Sequence, residues 1–518
     1  MKGMQESSWL LKQQPDLDKL ETRLLPWCES LSEEASTSRS IWLVDTFDWN
    51  LWRKKTALVY SLEAEDQKGL LTPLSLEGRP LKFPAAWLEA CPAHWWQLPQ
   101  RELRTFLEKR LEFSSLQPLI EISEQISHWA CRDDEGKILV RLQIRNQEIF
   151  RLDAEETPHY HQFFLTCQPL RGYEQEAKRV KQSLASWLKH QALPLEPRKL
   201  YQLCGFDPAS ELLPKPLPLS AKSPTETLLR DAGRLLFAQM RRYEEGILQD
   251  RDTEFLHQYR VHLRRLRSIF SLLKGALPRQ EGRQLNSYLK QLNQITGPLR
   301  DLDVFLLQRQ KFLNLLPEAF RPALADLFVR VEQERLSAHQ QLATQFLSSD
   351  YREACQWLGA FFTQPAQQKT PLGCTPGGQV ANQKIWERYN KICKLARQVN
   401  TQTPDEDLHE LRIECKKLRY LMDFFAGFYP SKPHQRKVKK LKRLQSLLGD
   451  FNDSSVQQGF LLERLEKDTT SDLDAALHGL ITLLYQRQLD IKQKVVLELQ
   501  EFTGKHMRAA FKAGYPKR

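Results

Sequence analysis

Long apolar runs are absent from this chain of 518 residues. No stretch approaches the roughly 18 unbroken apolar residues that a membrane-spanning helix needs, so the sequence predicts no membrane span. The first 20 residues scatter single apolar positions among Gln, Asp and Lys, which predicts that they are not a secretory signal peptide. The nine cysteines are scattered and form no Cys-x-x-Cys pair, which argues against a disulfide framework or a structural zinc site. We therefore expect reduced thiols and a cytoplasmic protein.

The composition is that of a globular protein with an uneven charge. Hydrophobic residues make up 41% and charged residues 27%, which excludes a disordered chain. The length predicts two to four folding units, at about 100–200 residues each. Residues 1–220 carry 28 basic and 31 acidic residues, whereas residues 221–518 carry 48 and 33. The excess positive charge therefore lies in the C-terminal part, and it favours polyanionic partners such as nucleic acid, anionic membranes or phosphate polymers.

The sequence pattern of residues 1–205 predicts a mostly antiparallel β-rich domain. Short apolar or alternating runs are broken by turn residues, and Asp133–Gly136 has the composition of a hairpin turn. Helices are predicted near Gln100–Glu112 and Tyr173–His190. The predicted strand segments are Ile41–Val44, Thr56–Leu62, Pro118–Ile122 and Ile138–Ile144.

A proline-rich linker is predicted over residues 206–224, and the apolar period is helical beyond it. The predicted all-α domain covers residues 225–515. A loop at Thr363–Val380 divides it into halves of about 225–362 and 381–515. The expected fold class is therefore α+β, with a β-rich domain followed by a helical one.

The helical domain contains an internal duplication. The segment His257–Arg267 matches His409–Arg419 at an offset of 152 residues. A second pair of segments, beginning at Leu289 and Leu441, repeats at the same offset and includes Gly297 and Gly449. Because two separate segments share one offset, we expect two similar helical bundles related by a pseudo-twofold axis.

Each copy of the duplicated segment places a histidine and three cations on one face of a helix. At 100° per residue, His257, Arg260, Arg264 and Arg267 fall within an arc of about 80°. We call this set the first stripe; His409, Arg412, Lys416 and Arg419 form the second stripe. Like charges at this spacing repel by a few tenths of a kcal/mol per pair, so a pattern made twice suggests an anionic ligand. The alternative is a solvated basic face. The neighbouring arcs are apolar and predicted to face the core: Tyr259, Leu263, Leu266 and Phe270, and Leu411, Cys415, Leu418 and Met422.

Polar residues follow each of the two repeated glycines, which we expect to end or tighten a helix. They are Arg300, Asp301 and Asp303 in the first half, and Asp450, Asn452 and Asp453 in the second. Their carboxylates could orient the stripe cations or cap helices, and structural pairing is the favoured interpretation. Their arrangement does not resemble a metal site.

The duplicated segments resemble the CHAD family, the conserved-histidine α-helical domains. The matching pattern is His-x-x-Arg-(Val/Ile)-x-x-basic-basic-Leu-Arg, with Gly297–Val304 in the first half and Leu444–Asp453 in the second. The resemblance covers about residues 225–510 and implies a pair of four-helix bundles with a basic groove between them that binds inorganic polyphosphate. The binding residues that it implies are His257, Arg260, Arg264, Arg267, His409, Arg412, Lys416, Lys417 and Arg419. We expect Arg265, Lys290, Arg300 and Lys442 to contribute to the same site, and we expect no catalytic residue and no metal or other cofactor.

The N-terminal half resembles, more distantly, the CYTH or triphosphate-tunnel family. Asp45–Leu51, Thr56–Tyr60 and the closing Leu195–Tyr201 are similar to segments of that family. The defining Glu-x-Glu-x-Lys strand is absent, and Val59 and Ser61 occupy positions where basic residues would face the triphosphate. The resemblance therefore implies a degenerate, non-catalytic tunnel-like domain.

The leading hypothesis is a cytoplasmic polyphosphate-binding protein, located at polyphosphate granules and without a membrane partner. Its histidines are expected to add pH sensitivity near their ordinary pKa of about 6.5. One alternative is an inorganic triphosphatase in the N-terminal half, with Glu121 and Glu124 as candidate contacts for Mg²⁺ or Mn²⁺. Another is weak, non-specific nucleic-acid binding, although the stripes lack the exposed aromatic residues that stack unpaired bases.

Overall fold

A computed structural model of the chain describes residues 7–11, 13–83, 85–153, 158–188, 196–211, 216–364, 369–465 and 471–516. The chain divides into two compact units, Met1–Leu212 and Leu213–Arg518. Their boundary falls within the predicted linker. In the described part of the chain, no helix is both long and apolar enough to cross a membrane.

Unit 1 is built on one eight-stranded antiparallel sheet, with the strand order β1-β8-β7-β6-β2-β3-β4-β5. This sheet confirms the predicted β-rich fold and fits a tunnel-like domain. Its strands are β1 (Ser7–Leu11), β2 (Ser30–Asp45), β3 (Thr56–Glu63), β4 (Gly69–Ser75), β5 (Ala86–Leu88), β6 (Gln117–Arg132), β7 (Ile138–Arg151) and β8 (Tyr160–Pro169). Its helices are α1 (Leu17–Leu24), α2 (Asn50–Arg53), α3 (Arg101–Leu111), α4 (Glu174–Trp187), α5 (Pro197–Leu203) and α6 (Pro208–Glu211).

The predicted elements of unit 1 are present, and the strands run further than their apolar centres. The predicted turn joins β6 to β7, where Gly136 has a φ of 77° that suits glycine. Helices α3 and α4 lie where helices were predicted, although the predicted end of the second one, residues 189–190, lies outside the described residues. Because side chains alternate along a strand, apolar positions on both faces of the sheet build the core of this unit.

Unit 2 is helical throughout its described residues. Its first half contains α7 (Thr225–Arg241), α8 (Glu244–Leu248), α9 (Thr253–Leu272), α10 (Arg279–Ile295), α11 (Gly297–Leu306), α12 (Arg309–Leu315), α13 (Arg321–Phe346) and α14 (Ser349–Thr363). The second half contains α15 (Pro371–Cys374), α16 (Gly377–Ala396), α17 (Asp405–Phe424), α18 (Ser431–Leu465), α19 (Ser471–Thr503) and α20 (Lys505–Gly514).

The two halves of unit 2 are related by a pseudo-twofold axis. Helices α9 and α17 begin and end 152 residues apart, as the sequence offset predicts. The amide of Thr225 donates to the carbonyl of Thr375 at 3.0 Å, and the amide of Gly377 donates to the carbonyl of Ser223 at 2.9 Å. These two hydrogen bonds exchange under the same offset, so the axis passes between the two segments that begin α7 and α16.

The predicted loop at Thr363–Val380 is shorter than expected. Helix α16 begins at Gly377, inside that span, and α15 lies there too, while residues 365–368 are outside the described residues. The glycine serves a close approach, because a Cβ at Gly377 would lie 2.1 Å from Cδ1 of Leu228. A glycine pair that suggested a loop is therefore explained by packing across the pseudo-twofold axis.

The two repeated glycines behave differently from each other. Gly297 begins α11 after α10 has ended at Ile295, whereas Gly449 lies inside the continuous helix α18. Pro298 follows the first glycine and Asp450 follows the second. Because proline lacks the amide that continues a helix, only the first half is broken here. The expectation that both glycines end or tighten a helix is wrong for Gly449.

Candidate functional site

The two stripes lie on helices that contact each other, α9 and α17. Asp252 begins α9 by accepting hydrogen bonds from the amides of Glu254 and Phe255, at 2.7 and 3.2 Å. The predicted apolar arcs of both helices are buried. This packing fixes the rotation of each helix, so that each stripe lies beside the buried face instead of within it.

In the first half, the charged side chains are held by neutral groups. Arg300 donates to Nδ1 of His257 at 2.8 Å. Arg260 donates to the carbonyl of Asn293 at 3.0 Å and to Oγ1 of Thr296 at 2.7 Å. Among the described residues, no carboxylate lies within 4.0 Å of a charged nitrogen of the first-stripe arginines or Arg300. Arg260 and Arg300 are therefore positioned by hydrogen bonds, and none of these arginines is neutralised by an ion pair within the described residues.

In the second half, carboxylates and amides take over part of this role. Nδ1 of His409 lies 2.8 Å from Oδ1 of Asn452 and donates to it. Arg412 pairs with Asp453 at 3.9 Å. Arg419 donates to Oε1 of Gln445 at 3.2 Å and to Asp423 at 3.3 Å.

Arg300 and Asn452 are equivalent under the 152-residue offset. Arg300 donates a hydrogen bond to its histidine, whereas Asn452 accepts one from its histidine. Nδ1 of His257 accepts a hydrogen bond, so its proton is on Nε2. Nδ1 of His409 donates one, so the neutral ring leaves a lone pair on Nε2.

The two stripes approach each other around Arg264 and Lys416. Burial is the largest cause that lowers the pKa of Lys416, to about 8, and the charges of Arg412 and Arg264 lower it further. Neither Arg264 nor Lys416 has a hydrogen bond or ion pair among the described residues. These two cations, one from each half, therefore have no protein anion within ion-pair distance in the described part of the chain, and the charge of Asp453 acts on Lys416 from further away.

The structure corrects the expected pH sensitivity of the first-stripe histidine. Burial, followed by the charges of Arg300, Arg264 and Arg260, lowers the pKa of His257 to about 4. This histidine is consequently neutral near pH 6.5, where the sequence predicted titration. Burial is the main physical reason, and the arginine that donates to Nδ1 adds to it, because a second proton cannot be placed on that nitrogen without breaking the hydrogen bond.

Arg265 and Lys417 are not brought into the stripes. Lys417 donates to the buried Glu414 at 2.8 Å, together with Arg388 at 2.6 Å and Lys391 at 3.1 Å. Burial is the main cause that lowers the pKa of Arg265, and Asp423 and Tyr420 oppose it. Both positions lie about 80° from the histidine of their helix, so a helical projection already separates them from the stripes. Lys290 on α10 and Lys442 on α18 are exposed.

Among the acidic residues after the glycines, only one pairs with a stripe cation within the described part of the chain. That residue is Asp453. Asp303 instead accepts from Nε of Arg335 at 2.8 Å, and the same arginine forms two hydrogen bonds to Asp250, at 2.6 and 2.7 Å. Burial raises the pKa of Asp303 to about 6, although Arg335 opposes this. Asp301 is exposed, with a raised pKa that is caused chiefly by partial burial.

Sequence reasoning missed several residues that position or extend the site. Thr296, Asn293 and Gln445 hold stripe arginines; the last two are equivalent in the duplication, and that repeat was the available signal. Lys311 and Arg487 add positive charge near Asp453. Burial is the largest cause that lowers the pKa of Lys311, the charge of Arg487 lowers it further, and the charge of Asp453 raises it. Arg487 repeats Arg335 at the same offset, but Lys311 has no basic equivalent in the second half.

In unit 1, the two candidate metal contacts cannot share a site. Glu121 and Glu124 are an odd number of residues apart on β6, so they lie on opposite faces of the sheet. Glu124 is fully buried, where Arg39 donates to one oxygen and Gln147 donates to the other. Beside it, Ile122 and Ile149 pack against Leu200 and Tyr201 of α5. Among the described residues, no group of three or more His, Cys, Asp or Glu side chains could hold a metal ion.

Comparison with curated proteins gives relatives of unstated function. Two uncharacterized proteins from strains of Mycobacterium tuberculosis are each 26% identical to this chain over 264 residues. The match covers 50% of this chain and 49% of each relative, so the chain spans about half the length of the curated relatives it matches.

Comparison with solved structures gives partial likenesses. The CHAD domain from the plant Ricinus communis is 22% identical, covers 58% of this chain and 95% of its own, and has a TM-score of 0.43. PptA from Streptomyces chartreusis is 15% identical, covers 54% and 99%, and has a TM-score of 0.41. The PH1819 protein from Pyrococcus horikoshii is 10% identical, covers 38% and 96%, and has a TM-score of 0.21.

A protein-family model matches part of unit 2. The model of the CHAD domain matches residues 231–462. This span contains α9, α17 and both stripes, in agreement with the family that the duplicated segments resemble. Residues 231–462 of this chain form a CHAD domain.

Proposed function

We propose that unit 2 binds inorganic polyphosphate in the cytoplasm, at polyphosphate granules, through the two stripes. The observation that carries the proposal is the pair Arg264 and Lys416, which approach from opposite halves and make no hydrogen bond or ion pair among the described residues. Burial is the largest cause that lowers the pKa of Lys416, and the charges of Arg412 and Arg264 lower it further, so holding this cation here is unfavourable in the unliganded protein. A flexible polyanion would relieve the repulsion in both halves at once.

The binding mechanism is electrostatic and depends on prior positioning. Arg260 and Arg300 are already oriented by neutral acceptors, so they lose little conformational freedom when a phosphoryl oxygen arrives. Guanidinium groups match phosphate geometry through paired N–H donors. Binding would also release the counterions of the polymer, so affinity should fall steeply with salt, as it does for other polyanions.

The decisive experiment removes the charges of Arg264 and Lys416, where the two stripes approach each other. The double variant Arg264→Gln with Lys416→Gln removes two charges that have no protein partner in the described residues, so the fold should be retained. We expect the affinity for long-chain polyphosphate, measured by calorimetry, to fall by about 100-fold or more, because two charge-assisted hydrogen bonds at about 1.5–3 kcal/mol each amount to at least about 3 kcal/mol. Lys494→Gln, on the exposed side of α19, is the control for loss of charge alone. Unchanged affinity in the double variant would refute the assignment.

Two further measurements address the alternatives. Competition between long-chain polyphosphate and RNA at physiological salt distinguishes a phosphate-polymer site from a general nucleic-acid surface. Phosphate release from triphosphate with Mg²⁺ or Mn²⁺, in wild type and Glu121→Gln, tests a triphosphatase. Because Glu121 and Glu124 lie on opposite faces of β6, we propose that unit 1 is a CYTH-like domain without this activity.

A further inference from the structure

The N-terminal part of α18 carries a second set of cations at positions that are neutral in the first half. Lys432, Arg436 and Lys439 are exposed, and none of them makes a hydrogen bond or an ion pair within the described residues. At 100° per residue they lie within about 60° of one another. Their equivalents on α10 are Gln280, Gln284 and Ser287, which are exposed and neutral.

These three cations destabilise helix α18, and they make no ion pair or hydrogen bond within the described residues that would stabilise the fold. Residues 432, 436 and 439 are three or four apart, so their charges repel. Lys432 also lies in the first turn of the helix, where the helix dipole disfavours positive charge. Helix α10 occupies the equivalent place in the other half with neutral residues, so the architecture does not require these charges.

The cations are connected to the second stripe by a continuous row of side chains. Gln445 contacts Arg419 of the second stripe. From Gln445, steps of three residues toward the start of α18 reach Lys442, Lys439 and Arg436, each rotated by about 60° from the one before. The row therefore passes from the side of α18 that meets α17 to the opposite, exposed side. We call Lys442, Lys439, Arg436 and Lys432 the α18 row.

The neighbouring cations show that paired charges also exist on this helix. Lys440 pairs with Glu501, and Arg443 pairs with Glu498 at 2.8 Å. These two acids lie on α19 and neutralise only the cations that face them. The α18 row is thus unpaired within the described residues, although acidic residues of α19 pair with other cations of the same helix.

We propose that the α18 row is an exit track, on which polyphosphate longer than the stripes continues beyond Arg419. On α10 the equivalent positions beyond Lys290 are the neutral Ser287 and Gln284, and the cations Arg279 and Arg283 of that helix correspond to Ser431 and Gln435 of α18. The inference rests on the proposed function, and it adds a preference for long chains.

The test compares two lengths of polymer. The variant Lys432→Gln/Arg436→Gln/Lys439→Gln keeps helix-forming side chains at exposed positions, so folding should be unaffected. We expect its affinity for long-chain polyphosphate to fall about tenfold and the slope of log affinity against log salt to decrease by about two, at about 0.7 per cation for a single-stranded polyanion. Tripolyphosphate, which is too short to extend from the stripes to the row, should bind with unchanged affinity.

The controls separate the exit track from net charge and from the proposed function. The variant Arg330→Gln/Arg352→Gln/Lys494→Gln removes three exposed cations from α13, α14 and α19, and it should leave both affinities unchanged. An equal loss for both variants, an equal loss for both polymer lengths, or a loss of RNA binding alone would overturn the track. Failure of the wild-type protein to bind polyphosphate of either length would instead overturn the proposed function.

The reverse experiment builds a second track. Gln284→Arg with Ser287→Lys gives α10 the equivalent residues of α18. We expect tighter binding of long-chain polyphosphate and no change for tripolyphosphate. No gain for the long polymer would show that cations in this row do not contact it, and so would contradict the proposal.

Discussion

The two halves of unit 2 share a backbone plan but neutralise their charges differently. In the first half, Arg260 and Arg300 are held by hydroxyl, carbonyl and imidazole groups, while Asp303 is turned toward Arg335. In the second half, Asp453 lies against Arg412. The two halves therefore place their cations alike, but the acid that follows the repeated glycine lies within ion-pair distance of a stripe arginine in the second half only, among the described residues. The first half is therefore expected to attract a polyanion more strongly.

The largest expected difference between the halves concerns stability. Arg335 is the partner of the buried Asp303 and of Asp250, whereas the equivalent Arg487 is exposed and has no ion pair among the described residues. We expect Arg335→Gln to lower the free energy of unfolding by about 3–5 kcal/mol, because it leaves a buried carboxylate without its partner. Urea denaturation measures this value.

The matched control is the equivalent position. Arg487→Gln should change the free energy of unfolding by less than about 0.5 kcal/mol, as is usual for exposed sites. Adding Asp303→Asn to Arg335→Gln should recover part of the loss, because it removes the stranded charge. Similar effects at Arg335 and Arg487 would contradict the contrast drawn between the halves.

The next difference concerns pH. The folded pKa of His257 is about 4, below the value of about 6.5 for free histidine, so the unfolded chain takes up a proton first as pH falls. The contribution of His257 to the free energy of unfolding is therefore present above about pH 6.5 and decreases below it, by up to about 3 kcal/mol near pH 4. Denaturation curves of wild type and His257→Gln at several pH values measure this dependence.

The second-stripe histidine provides the comparison. His409 donates to Asn452 through Nδ1, which in the neutral ring leaves a lone pair on Nε2, whereas His257 accepts from Arg300 and carries an N–H there. We expect His257→Gln to weaken polyphosphate binding more than His409→Gln does, because an N–H can donate to a phosphoryl oxygen and a lone pair cannot. Calorimetric titration measures both affinities. Equal losses in the two variants would contradict the opposite hydrogen-bond polarity.

Much of this comparison could be predicted from the sequence, because it follows from periodicity. The offset of 152 residues and the angular positions of residues such as Arg264 and Lys416 predicted the helices, the buried arcs and the stripes. The partners of the charges could not be predicted in this way. His257 and Arg300 are 43 residues apart, and their contact depends on how α11 packs on α9 after the break at Pro298. The positions of Arg265 and Lys417, by contrast, were within reach of a helical projection.

The smallest expected effect concerns the acids that remain near the stripes. Asp453 lies 3.9 Å from Arg412, and Asp301 has no ion pair within the described residues. We expect Asp453→Asn to raise polyphosphate affinity about two- to fivefold, because an exposed ion pair contributes about 0.2–1 kcal/mol. Calorimetric titration with long-chain polyphosphate at constant salt measures this gain.

Asp301→Asn is the matched variant, and its gain should be smaller, since Arg260 is held by Thr296 and Asn293 and not by this carboxylate. The difference between the two variants should persist at higher salt, because screening weakens the longer-range attraction of Asp301 more than the close contact of Asp453. An equal or larger gain from Asp301→Asn would mean that total charge, and not the pairing of individual cations, decides how strongly each half attracts the polymer.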